Sequence, residues 1–130
     1  MGNRSKKVYL EWFEKADEDE ALAEVALQQN TPPSGICFLS QQMAEKYLKG
    51  LIVFHNQKFS KVHDLLELEK ILINFEPDIK NYEEDMDLLN SYYIETRYPG
   101  DYSEFTLEEA KNALEAAQKI KDFVLGKVKK

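Results

Sequence analysis

Hydrophobic positions recur along this chain at the spacing of an α-helix, about 100° per residue. Trp12, Ala16, Ala23 and Ala26 share one face; Ile36, Leu39, Met43, Tyr47, Leu51 and Phe54 share another. Tyr82, Met86, Leu89 and Tyr93 form a third stripe, and Ala110, Ala113, Ala117, Ile120 and Val124 a fourth. No stretch sustains the period-two alternation of a half-buried strand. Gly and Pro fall between the stripes and mark the loops. The pattern predicts a first helix from about Ser5 to Gln29, ended by Asn30-Thr31-Pro32-Pro33, and a second running to about His55 with Ser34 as its N-cap. A shorter helix follows His63 and ends near Phe75. The fourth starts at Pro77 and stops at Arg97 or Tyr98, because Pro99 disfavours helix before it. The fifth opens on a capping box, Thr106 with Glu109, and runs to about Gly126. The expected fold is all-α: an antiparallel up-and-down four-helix bundle with one additional short helix, in a single domain over residues 1–130.

Composition supports a folded chain and narrows its class. Of 130 residues, 43% are hydrophobic and 32% charged, a globular balance with enough apolar matter to bury a core. The longest apolar run, Leu51-Ile52-Val53-Phe54, is far short of the roughly 20 residues needed to cross a bilayer, so no membrane role is expected. The N-terminus carries no secretory signal, and the expectation is a cytoplasmic protein. A single cysteine, Cys37, excludes an internal disulfide framework and a cysteine-based metal cluster. No metal or other cofactor is called for.

The net charge of −7 argues against an indiscriminate nucleic-acid binder, but its distribution is uneven. Residues 11–30 carry seven acids against Lys15, whereas both ends and the stretch from Gln41 to Lys61 lean basic. A local anion site is compatible with that pattern, although most of these charges read as solvated helix faces.

Three polar features depart from the bland pattern. Asp19 projects from the apolar face of the first helix between Ala16 and Ala23, where an unpaired carboxylate is costly, so it needs a partner. Arg97, one turn beyond Tyr93, is the simplest one. Gln42, Lys46 and Lys49 form a polar ridge beside the apolar stripe of the second helix, which alone reads as an ordinary exposed face. His63-Asp64 precedes the third helix, where Asp64 suits the N-terminal dipole and the histidine reads as a local hydrogen-bonding group. The least ordinary segment is Arg97-Tyr98-Pro99-Gly100-Asp101-Tyr102. Arginine grips phosphate through its planar fork, aspartate orients that fork or accepts a proton, and tyrosine donates to an oxyanion or accepts a transferred group. On residue chemistry alone, this is an anion-binding or catalytic candidate.

Several of these pieces together resemble the HEPN domain family. They are Trp12 and Ala16 with Asp19; Gln42-Met43-Ala44-Glu45-Lys46 with Leu48-Lys49; His63-Asp64-Leu65; and Arg97-Tyr98-Pro99 before an Ala-rich final helix. The resemblance extends from about Tyr9 to Val124. It implies a helical bundle that works as a homodimer. In one branch the domain pairs with a small nucleotidyltransferase in a toxin–antitoxin-type system, and a tyrosine near the motif accepts nucleotides. In another it is a metal-independent endoribonuclease, whose motif of an arginine, four to six intervening residues and a histidine meets its copy across the dimer cleft. Carried onto this chain, Arg97, Tyr102 and Asp101 are the catalytic candidates, supported by Asp19 and Tyr98, while Lys46, Lys49, Gln42 and His63 are the candidates for binding nucleotide or RNA. Tyr102 stands where the motif histidine is expected, and the only histidines are His55 and His63. The resemblance therefore implies first a nucleotide- or RNA-binding component of a toxin–antitoxin pair. The alternative is an endoribonuclease using Arg97 with Tyr102 or His63.

Overall fold

A computed structural model describes residues 2–93 and 105–129 of the chain, with side chains from Val8 onward. The helices are α1 (Gly2–Gln28), α2 (Pro33–Phe54), α3 (Leu65–Leu72), a 3-10 helix (Pro77–Tyr82), α4 (Glu83–Asn90) and α5 (Leu107–Val128). No strand occurs among the described residues, and the expected all-α architecture is the one observed.

α1 and α2 form a helical hairpin closed by a very short turn. Asn30 adopts a left-handed conformation (φ 57°), and the backbone N–H and hydroxyl of Thr31 both donate to the Ala26 carbonyl, at 3.2 and 3.0 Å. This is how a helix end satisfies a carbonyl that has lost its partner. The N-cap of α2 is Pro32 rather than the expected Ser34. Pro33 takes the first helical position, where its fixed φ suits the helix and its missing N–H goes unmissed, which places Ser34 inside the first turn. The far end of α2 closes the same way, with Asn56 left-handed (φ 59°) and Gln57 N–H donating to the Ile52 carbonyl.

α2 is the central element: α1, α3, α4 and α5 all pack against it. Its predicted stripe is inside, with Ile36, Met43, Tyr47 and Leu51 fully buried, and the alanine stripe of α5 lets that helix approach closely through Ala110, Ala113 and Ala117. Phe13, Ala16 and Ala23 of α1 complete that side of the core, and Leu65, Leu68, Leu72, Met86 and Leu89 complete the other. Because neighbours surround α2, its burial extends past one stripe to Ser40, Gln41, Glu45 and Lys49.

The fourth helix differs from expectation within the described residues. It opens as a 3-10 turn over Pro77–Tyr82, becomes α-helical at Glu83 and ends at Asn90 with Ser91 as C-cap. The Asn90 side chain explains what holds that end. Its Oδ1 accepts from Leu65 N–H (2.8 Å) and its Nδ2 donates to Asp64 Oδ1 (2.7 Å), while Asp64 also caps α3 by accepting from Leu66 N–H. The ends of α3 and α4 are thus stitched together beside His63. The cap of α5 is as expected: Thr106 Oγ1 accepts from Glu109 N–H at 2.9 Å, and the Glu109 carboxylate accepts from the Tyr92 hydroxyl at 2.8 Å.

Candidate functional site

The polar ridge of α2 becomes a hydrogen-bonded network whose centre is Glu45. This carboxylate is 4% exposed and is surrounded by four partners, the outermost being Gln42 Nε2, which donates to Oε1 at 3.5 Å. Lys49 Nζ donates to Oε2 at 2.8 Å, Gln41 Nε2 donates to Oε1 at 3.2 Å, and Nδ1 of His63 lies 3.2 Å from both oxygens. Gln41 also donates to the His63 carbonyl at 3.0 Å, and Gln42 donates to Gln41 Oε1 at 2.7 Å. The network therefore fixes His63 by side chain and backbone at once. A buried carboxylate and ammonium are tolerable only when paired and fully hydrogen-bonded, and here the two partners neutralise each other.

His63 emerges from this network toward solvent. Its side chain is 41% exposed, and its ring stacks on Tyr93 with centroids 4.2 Å apart and planes 15° from parallel. With Nδ1 facing a carboxylate, that nitrogen carries the hydrogen, and Nε2 is left on the opposite edge of the ring to donate or accept. His55 is committed differently: its Nε2 meets Glu76 Oε2 at 2.9 Å and its ring stacks on Phe75, which closes the end of α2.

The expected exposed ridge is corrected at Lys49, which is 6% exposed and lies inside. Its ammonium sits 5.7 Å from the Trp12 ring centroid and 5.3 Å from that of Phe59, so two aromatic faces share the charge with Glu45. α1 and the loop after α2 cover this shoulder of the helix, which a single-helix projection does not reveal. Gln42 and Lys46 remain half-buried at the rim. Lys46 Nζ donates to Asp19 Oδ2 at 2.7 Å, so the partner that Asp19 requires is Lys46 among the described residues. Arg97, expected in that role, lies outside the described residues, as do Tyr98, Asp101 and Tyr102. Next to Lys46 in the chain, the Tyr47 hydroxyl donates to Asp17; burial, and then this carboxylate, push the phenol well above its usual range.

Glu45, Gln41 and Tyr93 belong to the site although the sequence does not single out the first two as site residues and places Tyr93 in an apolar stripe. The available signal was the i, i+4, i+8 series Gln41, Glu45, Lys49, which lays amide, carboxylate and ammonium along one line of α2. No group of three or more His, Cys, Asp or Glu side chains among the described residues is arranged to hold a metal ion. No helix among them is long and apolar enough to cross a membrane.

Two solved structures resemble this chain over nearly its full length. TT1696 from Thermus thermophilus is 32% identical with a TM-score of 0.78, covering 92% of this chain and 98% of that one. ST0689, an archaeal HEPN homologue, is 28% identical with a TM-score of 0.74, covering 93% of this chain and 98% of its own. Comparison with curated proteins finds no match. The family model for the HEPN domain matches residues 9–128, and with it the helical frame that holds Glu45 against His63 finds its kin: the chain belongs to the HEPN domain family.

Proposed function

We propose that this HEPN domain binds nucleotide or RNA, as a homodimer, within a toxin–antitoxin-type pair whose other member is a small nucleotidyltransferase. The observation that carries the reading is the half-exposed imidazole of His63, held by Glu45 and stacked on Tyr93. A fixed, flat, half-exposed ring offers a stacking surface for a base and a hydrogen-bonding edge for its sugar or phosphate. Arg97, proposed to grip phosphate, stands four residues after Tyr93 in sequence. Gln42 and Lys46 serve at the rim. Lys49 acts from inside by holding Glu45, and not as a ligand contact. The acidic surface suits a partner protein with a basic face better than unselective RNA capture.

The same observation supports a second reading, a metal-independent endoribonuclease. A carboxylate on Nδ1 leaves Nε2 able to take or return a proton, and Arg97 supplies charge to the phosphorane. In this chain that histidine is His63, upstream of the arginine, rather than Tyr102.

Fluorescence anisotropy with labelled single-stranded RNA and with ATP measures binding, comparing wild type with His63→Ala and Arg97→Ala. Binding weakened by both substitutions supports the reading; equal affinity in all three overturns it. Gel assay of the same RNA in EDTA separates the second reading, since cleavage abolished by His63→Gln and Arg97→Ala identifies a nuclease. Intact mass after co-expression with a genomically adjacent nucleotidyltransferase, beside Tyr102→Phe, tests modification of that tyrosine.

A further inference from the structure

A second polar feature lies between α3 and α4 and shares no residue with the site on α2. Here the two helices border an open groove of ≈ 480 Å³, with Leu66 and Ile73 as its apolar surface and Glu69, Glu83, Glu84 and Asp87 as its acids. Glu69 is not a rim residue. It is only 5% exposed, and its Oε2 is fully buried without a hydrogen-bond partner, a costly state for a carboxylate. The lysine bordering the groove does not relieve it, because Lys70 Nζ is drawn to Glu67 at 2.9 Å. The charged groups acting on Glu69 are Glu83 of α4, within hydrogen-bonding reach of the protonated acid and repulsive to the ionised one, and Lys80 of the 3-10 helix, which is attractive.

We propose that this groove binds an organic cation, an alkylammonium or alkylguanidinium group seated between Glu69 and Glu83 with its stem along Leu66 and Ile73. Four acids around an apolar surface complement such a group in both charge and shape. The unpartnered Oε2 of Glu69 gives it a buried acceptor, which exposed acids alone do not provide. A divalent metal is a poorer guest, since no group of three acid, imidazole or thiol side chains among the described residues is arranged around a common point. Burial, and then the neighbouring Glu83, raise the Glu69 carboxyl to about 7, so Glu69 holds a proton near neutral pH. The incoming cation replaces that proton, which leaves to solvent, so one positive charge is exchanged for another.

The test is isothermal titration calorimetry on the full chain, with 1,4-diaminobutane standing for a free small cation and N-acetyl-arginine-methylamide for a side chain carried by a protein. Each titration is run in two buffers of different ionisation enthalpy. Saturable binding of at least one probe is expected, with proton release near neutral pH and affinity rising from about pH 6 to about pH 8. Glu69→Gln is expected to weaken it roughly tenfold or more and to abolish the proton release. Glu108→Gln, remote from the groove in sequence, is expected to change neither. Tighter binding of the diamine assigns the site to small cations, and tighter binding of the arginine derivative assigns it to a protein side chain; either supports the proposal. No saturable binding by either probe, or binding equal in Glu69→Gln, overturns it. Chemical shifts of Leu66 and Ile73 methyl groups, recorded in Glu69→Gln as well, verify that the variant is folded and report directly on occupancy.

Discussion

Glu45 meets Nδ1 of His63 with both carboxylate oxygens, at 3.2 Å each, while holding the Lys49 ammonium at 2.8 Å. One buried acid thereby orients an exposed imidazole and neutralises a buried cation. Glu45→Ala leaves Lys49, among the described residues, with the Trp12 and Phe59 rings, and its cost in urea denaturation is expected to be about 3 kcal/mol or more. Lys49→Met is expected to cost less, because Glu45 keeps Gln41 and His63 and the thioether fills the slot between the two rings. Equal losses from the two substitutions would show that Glu45 is not the hub.

Glu69 gives the fold a dependence on pH opposite to that of an ordinary ion-paired acid. Its carboxyl is raised from 4.5 to about 7, so the folded chain holds its proton more tightly than the unfolded chain. This contribution is full below the unfolded value and is lost as pH rises through about 7. Glu69→Gln supplies a permanent amide donor toward Glu83. Thermal denaturation should find the variant more stable than wild type at about pH 8, by on the order of 2 kcal/mol, with the advantage gone at about pH 4.

α1 packs tightly over α2 at Gly50. A Cβ there would stand 2.5 Å from Phe13 Cε1 and 3.2 Å from Trp12 Cβ. Alanine gains helix propensity but pushes these side chains away, so Gly50→Ala is expected to destabilise by about 1–3 kcal/mol. Because Trp12 also covers Lys49, its fluorescence should shift in the variant. Unchanged stability and emission would mean that Phe13 yields without disturbing the packing.

Tyr47 is expected to resist ionisation. Burial and its bond to Asp17 lift the phenol above its usual value of 10.0, so the group stabilises the fold below that value and the benefit is lost as pH climbs beyond it. Spectrophotometric titration should show one fewer titrating tyrosine in the folded chain than after unfolding, a deficit that Tyr47→Phe removes. Ionisation of every tyrosine before unfolding contradicts this.

Much of this was legible in the residues themselves. The stripes of α2 and α5, the Thr106 cap and the demand of Asp19 for a partner all follow from short-range spacing and the cost of a buried charge. That Lys46 is a partner did not, because it reaches Asp19 across the α1–α2 hairpin. Lys49 read as surface for the same reason: a helical projection describes one face of one helix, whereas α2 is wrapped on several sides. The break in the fourth helix was hidden too, since the stripe Tyr82, Met86, Leu89 continues in register across the change from 3-10 to α geometry.

The tight turn at Asn30–Pro33 also has a bearing on how the chain folds. It joins two long helices that pack extensively while spanning only a few residues, so their contacts form with little loop entropy lost. The hairpin is accordingly the segment best able to assemble first. It carries Asp19, Gln41, Glu45 and Lys49, so hairpin formation alone would bring together the charged frame that receives His63.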